Sequence, residues 1–206
     1  MMFCIINLIL SVLALCSVVQ AAPSSPGQVL YDVDDFAVVD LTWDLPIKVD
    51  DPNGEKMTVT GSIQTAIAKM EAAYPGWNAT FQAGLPVDEK LGTRSPAALE
   101  DPTYNCEIRA DTANFFAIKW GIHYLRGIDG NAKGGPGPRN CSRVSCSWNS
   151  AIYWCNDEVS WGLIADLADG VVDNCAGVMG VKGKGSYTKS LWSVILRSPK
   201  PSEGNC

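Results

Sequence analysis

The chain has 206 residues, of which 47% are hydrophobic and 18% charged, a composition that supports one or two packed domains and excludes a wholly disordered chain. Its 16 basic and 22 acidic side chains give a net charge of −6, the opposite of the basic surface that general nucleic-acid binding requires, so we expect no nucleic-acid partner. His123 is the single histidine, which excludes a multi-histidine metal site, and we expect neither a metal nor another cofactor. The composition favours a secreted, disulfide-bonded protein that is not an enzyme.

Residues 1–21 have the pattern of a secretory signal peptide. No charged side chain occurs between Met1 and Val19, and small residues precede a cleavage site between Ala21 and Ala22. The alternative is a membrane anchor, but the apolar run is shorter than the roughly 20 residues that span a bilayer. No later apolar stretch is long enough either, so we expect an extracellular protein without a transmembrane segment.

The two halves of the remaining chain differ in charge. Residues 22–105 carry a net charge of −8, whereas residues 106–206 carry +2. We therefore expect two modules with different roles, an acidic one over 22–83 and a cysteine-rich one over 106–206, joined by a linker over 84–105.

The first module is predicted to be a small β-hairpin followed by a helix. Residues 36–49 and 56–60 favour strands, and a turn-forming Asp-Asp-Pro-Asn-Gly sequence separates them. Thr60 or Ser62 can then cap a helix that continues to about Tyr74. A further strand is expected directly after the Pro-Gly sequence that ends this helix, around Trp77 to Gln82.

The predicted linker over 84–105 is rich in glycine and proline and contains few large apolar residues. It includes Arg94, at which the chain could be processed, although no paired-basic site is present. The sequence is compatible both with removal of residues 22–94 and with their retention.

The second module alternates helices and strands. A helix that Asp111 or Thr112 can cap comes first, because apolar residues recur on one helical face: Phe115, Ile118, Ile122 and Leu125. The elements that follow are, in order, a strand pair or single long strand over 144–156, a helix over 160–174, a glycine loop over 177–185 and a strand over 191–197. The second helix is expected to expose three aspartates to solvent: Asp166, Asp169 and Asp173. This order predicts an α+β fold.

Six cysteines remain after the signal peptide, and all of them lie in the second half: Cys106, Cys141, Cys146, Cys155, Cys175 and Cys206. An even number in a secreted chain predicts three disulfides, for which 15 pairings exist. A zinc site is a weaker interpretation, because no Cys-x-x-Cys pair occurs and the expected compartment is oxidising.

Two sequons, Asn78-Ala-Thr80 and Asn140-Cys-Ser142, predict N-linked glycosylation. Both asparagines are expected in surface loops. The cysteine inside the second sequon makes Asn140 the poorer acceptor.

No pattern of catalytic residues stands out. No nucleophile signature surrounds any serine, and His123, within the first helix of the second module, is expected to be structural. Carboxylate pairs for sugar hydrolysis meet only in the fold, so an enzyme acting on cell-wall polysaccharide stays an alternative. Trp161, between a serine and a glycine at a helix start, is the tryptophan that we expect to be exposed and available to a target.

The second half resembles a family of small fungal secreted proteins. The similarity is carried by Cys141-Ser-Arg-Val-Ser-Cys146-Ser-Trp-Asn-Ser-Ala-Ile-Tyr-Trp-Cys155, by the following helix that ends in Cys175, and by the last strand, Trp192-Ser-Val-Ile-Leu196. The pattern looks like the calcium-channel-blocking killer toxins of smut fungi and the necrosis-inducing effectors that share their fold. The resemblance implies a two-layer α/β sandwich, with two helices on an antiparallel sheet.

The resemblance also implies a disulfide pairing and candidate contact residues. The implied disulfides are Cys146 with Cys206, Cys106 with Cys175, and Cys141 with Cys155. The family's functional lysine precedes the cysteine that corresponds to Cys146, where this chain has valine and serine. The nearby Arg139 and Arg143 are therefore the basic candidates for target binding, with solvated loop charges as the alternative. Residues 36–81 are similar to an N-terminal module that usually acts as a propeptide, here an acidic mask.

We expect a monomeric fungal effector or toxin-like protein that binds a protein or membrane target on another cell. No catalysis is expected. The alternatives are the polysaccharide-degrading enzyme and a passive structural protein of the cell wall or surface.

Overall fold

The computed structural model describes residues 36–86, 101–132, 140–156, 158–187 and 191–206. The predicted signal peptide, Arg94 and Arg139 lie outside the described residues. In chain order the strands and helices are β1 (Ala37–Val39), β2 (Thr42–Pro46), β3 (Lys56–Thr60), α1 (Ile63–Ala73), α2 (Trp77–Gly84), β4 (Pro102–Asn105), α3 (Phe115–Arg126), β5 (Asn131–Ala132), β6 (Asn140–Ser147), β7 (Ser150–Cys155), β8 (Val159–Ser160), α4 (Trp161–Cys175), β9 (Ala176–Gly177), β10 (Gly180–Val181), β11 (Gly183–Tyr187) and β12 (Ser193–Arg197). The α+β class is confirmed.

The N-terminal segment forms the predicted hairpin and helix. Strands β2 and β3 pair antiparallel, and the alternation along them turns Trp43, Leu45 and Val59 inward. The Ser62 hydroxyl caps α1 by accepting a hydrogen bond from the backbone N–H of Thr65. The expected strand after α1 is instead a helix, α2, because Trp77 and the aromatic residue four positions later stack on the same helical face.

One six-stranded sheet organises the rest of the molecule, with the strand order β1-β6-β7-β12-β11-β4. All neighbours in it are antiparallel except β1, which pairs parallel to β6. Helices α3 and α4 pack against each other and against this sheet. The strands β7 and β12 are buried along their whole length, since both lie in the middle of the sheet.

Several elements start or end at the same end of this sheet, where β6 turns into β7, and we call it the turn end. It carries the tight turn between β6 and β7 at residues 148–149. Strand β11 starts there, because Gly183 pairs with Leu196 near the end of β12. The β9–β10 hairpin precedes β11 directly, and α3 starts beside it, since Ala113 pairs with Val181. Four chain segments thus converge at the turn end.

Two predicted boundaries are wrong. Leu85 is buried, and β4 forms an edge strand of the main sheet, so both ends of the predicted linker over 84–105 belong to the fold. The predicted loop over 177–185 contains a hairpin and the start of β11. Glycine-rich strands were missed because sequence patterns equate glycine with turns.

The two predicted modules share one hydrophobic core. The cluster on the helical side of the sheet includes Trp43 and Ile63 from the first module together with Ile118, Trp154 and Ile164 from the second. A smaller cluster around Tyr153 and the Cys141–Cys155 pair lies on the opposite side. The described residues form one compact unit. Within them, no helix has the length and apolar character needed to cross a membrane.

Candidate functional site

The six cysteines form three disulfides, in the pairing that the resemblance implies. Cys106 with Cys175 links the end of β4 to the end of α4. Cys141 with Cys155 bridges β6 and β7, and Cys146 with Cys206 anchors the C-terminal segment to β6. Because all six sulfurs are bonded, none of them is available as a zinc ligand.

The predicted exposure of Trp161 is wrong. Its side chain is only 5% exposed, and its ring stacks on that of Trp43 at a centroid distance of 4.4 Å. Trp154 contacts it edge-on at 6.5 Å. The local sequence around Trp161 could not reveal this burial, because the covering ring comes from a strand more than a hundred residues earlier. Trp161 is therefore part of the joint between the N-terminal and disulfide-bonded segments.

The second part of this joint is Gln64 on α1. Its side-chain amide donates a hydrogen bond to the Ser145 hydroxyl, and its carbonyl oxygen accepts one from the backbone N–H of Cys146, both at 2.8 Å. A single glutamine thus holds α1 on the strand that carries the Cys146–Cys206 disulfide.

Arg143, a predicted target-binding residue, lies on β6 rather than in a loop. Its guanidinium donates hydrogen bonds to the backbone carbonyls of Glu203 and Gly204, each at 3.1 Å. This half-buried side chain anchors the C-terminal segment to the sheet. The other predicted basic residue, Arg139, is outside the described part of the chain.

Glu203 completes what we call the C-terminal clasp, formed by Arg143, Tyr153, Arg197 and Glu203. Both carboxylate oxygens of Glu203 accept from the buried Arg197 guanidinium, and one also accepts from the Tyr153 hydroxyl at 2.6 Å. Burial opposes ionisation of Glu203, but the hydrogen bonds and charge of Arg197, with the Tyr153 hydrogen bond, outweigh it and lower the pKa. Burial, followed by the hydrogen bond to Glu203, raises the pKa of Tyr153.

The predicted solvent-facing aspartates of α4 have partners on α3. Asp169 forms ion pairs with Lys119 at 2.7 Å and with Arg126 at 3.1 Å. Asp166 pairs with the same arginine at 3.1 Å. The prediction is wrong for these two aspartates because α3 lies beside that face of α4, whereas Asp173 is exposed as expected. These pairs fix the two helices against each other.

Neither sequon lies in a loop as expected. Asn78 is in the first turn of α2, where its side-chain oxygen accepts a hydrogen bond from Gln82 at 3.4 Å. Asn140 begins β6, opposite Ala37 of β1. Glycosylation at either position stays a prediction.

His123 is half-buried on α3 and packs against neighbouring rings. Its ring lies 5.6 Å from that of Trp120 and 6.4 Å from that of Tyr124. Gln82 of α2 donates a hydrogen bond to the Tyr124 hydroxyl at 3.1 Å. These contacts suit a structural histidine, and no sequence pattern around it predicts a catalytic partner.

The exposed large apolar side chains were not anticipated. Sequence analysis expected Trp161 to be the exposed tryptophan, yet it is Trp148 that occupies the turn between β6 and β7 and points away from the core. Other exposed apolar residues lie on α3, in the β9–β10 hairpin and before β12: Phe116, Trp120, Val178, Met179 and Leu191. A Trp-Asn pair between two strand-like runs was the one available signal for the turn, since asparagine tolerates a left-handed conformation.

No family model, curated protein or solved structure matches this chain. The function must therefore be inferred from the arrangement of its own residues.

Proposed function

We propose that this chain is a secreted effector or toxin-like protein, of the kind that fungi release, which binds a target on another cell without catalysing a reaction. The supporting observation is that a triply disulfide-bonded fold displays bulky apolar side chains on its outside. Exposed apolar clusters on a stable scaffold are typical of binding surfaces.

The disulfides fit an extracellular working environment. Each of them closes a loop within residues 106–206 and restricts the unfolded chain, which stabilises a small domain where chaperones are absent. Together with the predicted signal peptide, they support secretion. We further propose that the protein acts as a monomer and that Asn78 carries the glycan.

The N-terminal segment is proposed to cover part of the disulfide-bonded segment until it is needed. Trp43 and Gln64 occupy the faces of Trp161 and β6 that would otherwise meet solvent. The contacts between the two segments are apolar packing and hydrogen bonds. The proposal therefore does not require attraction between their opposite net charges.

The test uses the oxidised chain over residues 22–206, applied to plant and yeast cells that carry a cytosolic calcium reporter, with surface binding measured in parallel by flow cytometry. We expect saturable binding and a dose-dependent reporter response in one cell type. Protein that has been reduced and alkylated is the matched control and should do neither. Absence of binding to both cell types would overturn the proposal, and so would release of soluble sugar from isolated cell walls.

A further inference from the structure

Three chain segments without a charged side chain meet at the turn end of the sheet. They are the start of α3 with the residues before it (112–118), most of the β6–β7 hairpin (144–156), and the end of α4 with the β9–β10 hairpin (174–181). Charged residues flank these segments in sequence: Asp111, Lys119, Arg143, Asp157, Asp173 and Lys182. The three segments themselves carry no charged side chain, while Asp111, Lys182 and the C-terminal segment lie beside them.

Hydrogen bonds hold these three segments together. The backbone N–H of Asn114 donates to the Ser150 hydroxyl at 2.7 Å, and that hydroxyl donates to the carbonyl of Trp148 at 3.0 Å. On the other side, Ala113 and Val181 exchange two backbone hydrogen bonds of 2.8 and 2.9 Å. The residues just before α3 thus tie the two hairpin turns into one rigid end.

Four bulky apolar side chains project from this end, and we call them the apolar tip. Their exposed fractions are 71% for Phe116, 84% for Trp148, 105% for Val178 and 88% for Met179. Single exposed apolar residues are ordinary on protein surfaces, but a group of four on adjoining segments is the pattern of an interaction site.

The backbone at Trp148 adds an independent observation. Trp148 and Asn149 both have φ of 50°, in the left-handed region that a bulky residue rarely adopts. Asparagine or glycine would occupy the position of Trp148 with less strain. Because the Trp148 side chain is mostly exposed, packing in the core does not compensate for this strain. We therefore infer that the indole contacts something outside the protein.

We propose that the apolar tip inserts into the interfacial region of a zwitterionic phospholipid bilayer. This inference rests on the proposed function and names the membrane as the surface on which the protein acts. The four side chains stand on two hairpin turns and a helix start, and each is mostly exposed. A fluid bilayer can accommodate such separate apolar side chains, whereas a rigid protein partner would have to match each of them with a pocket. Tryptophan favours the membrane interface, while valine, methionine and phenylalanine favour the acyl region below it.

The absence of charged side chains from the three segments determines the kind of membrane. Attraction to anionic lipids depends on clusters of lysine or arginine at the contact surface. With no such cluster within these segments, binding should depend on apolar burial, and it should change little with salt or with the fraction of anionic lipid.

The experiment measures co-sedimentation of the oxidised chain over residues 22–206 with phosphatidylcholine vesicles. Two variants remove the tip: Trp148→Asn, which also suits the left-handed backbone, and Met179→Ser. Leu191→Ser is the matched control, because Leu191 is similarly exposed (77%) but precedes β12 at the opposite end of the sheet. Circular dichroism and thermal unfolding verify that each variant is folded.

We expect the wild type and Leu191→Ser to bind equally, and each tip variant to bind at least about tenfold more weakly, in 0.1 M and 1 M salt alike. Lack of wild-type binding, equal loss in the control, or binding only to anionic vesicles would each overturn the inference. So would a wild-type dimer that Trp148→Asn converts to a monomer, because the tip would then cover a second copy. If the tip variants still bind cells normally, the proposed function stands and the membrane inference alone fails.

Discussion

At the scale of single residues, the carboxylate of Glu203 helps to join the C-terminal segment to the sheet, beside the Cys146–Cys206 disulfide. It accepts hydrogen bonds from Arg197, Tyr153 and the backbone N–H of Lys200, while Arg143 binds the carbonyl of the same residue. Arg197 also lies over the Tyr153 ring at 4.2 Å, so the guanidinium is enclosed on several sides. Loss of the carboxylate would leave a buried positive charge without its counter-ion.

The clasp predicts a defined pH dependence of stability. Because the pKa of Glu203 in the folded protein lies below the ordinary value of 4.5 for a glutamate, the carboxylate stabilises the fold fully above that value. This stabilisation is lost as the pH falls through the lower pKa of the folded protein. We expect Glu203→Gln to lower the free energy of unfolding by about 3 kcal/mol at pH 7. The difference from the wild type should shrink as the pH falls below 4.5.

Urea unfolding at pH 7 and at pH 3 measures both effects. Glu158→Gln, a change at an exposed glutamate, is the control and should leave the unfolding curve almost unchanged. A Glu203→Gln variant as stable as the wild type at pH 7 would contradict the assignment of the clasp.

The clasp also shows what sequence could not supply at this scale. Arg143 was predicted to bind a target, but the carbonyl groups that it binds lie about 60 residues later in the chain. No sequence pattern near Arg143 indicates them. Helix caps were easier, because a cap depends on a few neighbouring residues, and Ser62, one of the two candidates for α1, does cap that helix. The cap of α3 is Asn114 rather than Asp111 or Thr112, an error of a few residues.

At the scale of elements, helical periodicity predicted α1, α3 and α4, since each buries one apolar stripe. Strand β11 was missed because two of its five residues are glycines. The structure shows why glycine is needed at one of these two positions. A Cβ atom on Gly185 would lie 2.9 Å from side-chain atoms of Leu167 and Val171, so glycine lets α4 approach the sheet closely.

Two glycine-to-alanine changes should therefore act in opposite directions. Gly185→Ala should lower the free energy of unfolding by about 1–3 kcal/mol, because the added methyl group must displace α4. Gly162→Ala, in the first turn of α4, meets no atom within 4 Å and should raise stability by about 0.5 kcal/mol through its helix propensity. Chemical denaturation of the two variants measures the change in the free energy of unfolding for each. Destabilisation by Gly162→Ala would show that α4 is not packed as described.

At the scale of the whole molecule, sequence analysis separated two segments that the fold unites. The division was drawn from charge and cysteine content, which are properties of composition. The joint depends instead on Trp43 against Trp161 and on Gln64 against β6, pairings that no local pattern encodes. None of the three disulfides crosses this joint, since all six cysteines follow residue 105.

Cutting the chain between the segments should therefore leave them associated. With a specific protease site engineered within residues 87–100, we expect the two fragments of the oxidised protein to co-elute in size-exclusion chromatography. Because apolar burial and hydrogen bonds hold the joint, raising the salt to 1 M should not separate them, whereas a mask held by opposite charges would dissociate as those charges are screened.

Trp43→Ala tests which contact dominates this association. The change removes the ring that stacks on Trp161 and leaves a cavity, a loss of about 3–5 kcal/mol for a buried tryptophan, so the cut fragments should separate. Trp148→Asn removes an indole from the apolar tip instead and should leave the fragments together. Fragments that separate at high salt in the wild type would favour the electrostatic mask. Fragments that stay together in Trp43→Ala would show that α1 or the pairing of β1 with β6 provides the main contact. If the wild-type fragments stay together until urea is added, proteolysis alone cannot release the N-terminal segment, and its displacement requires a competing surface for Trp161.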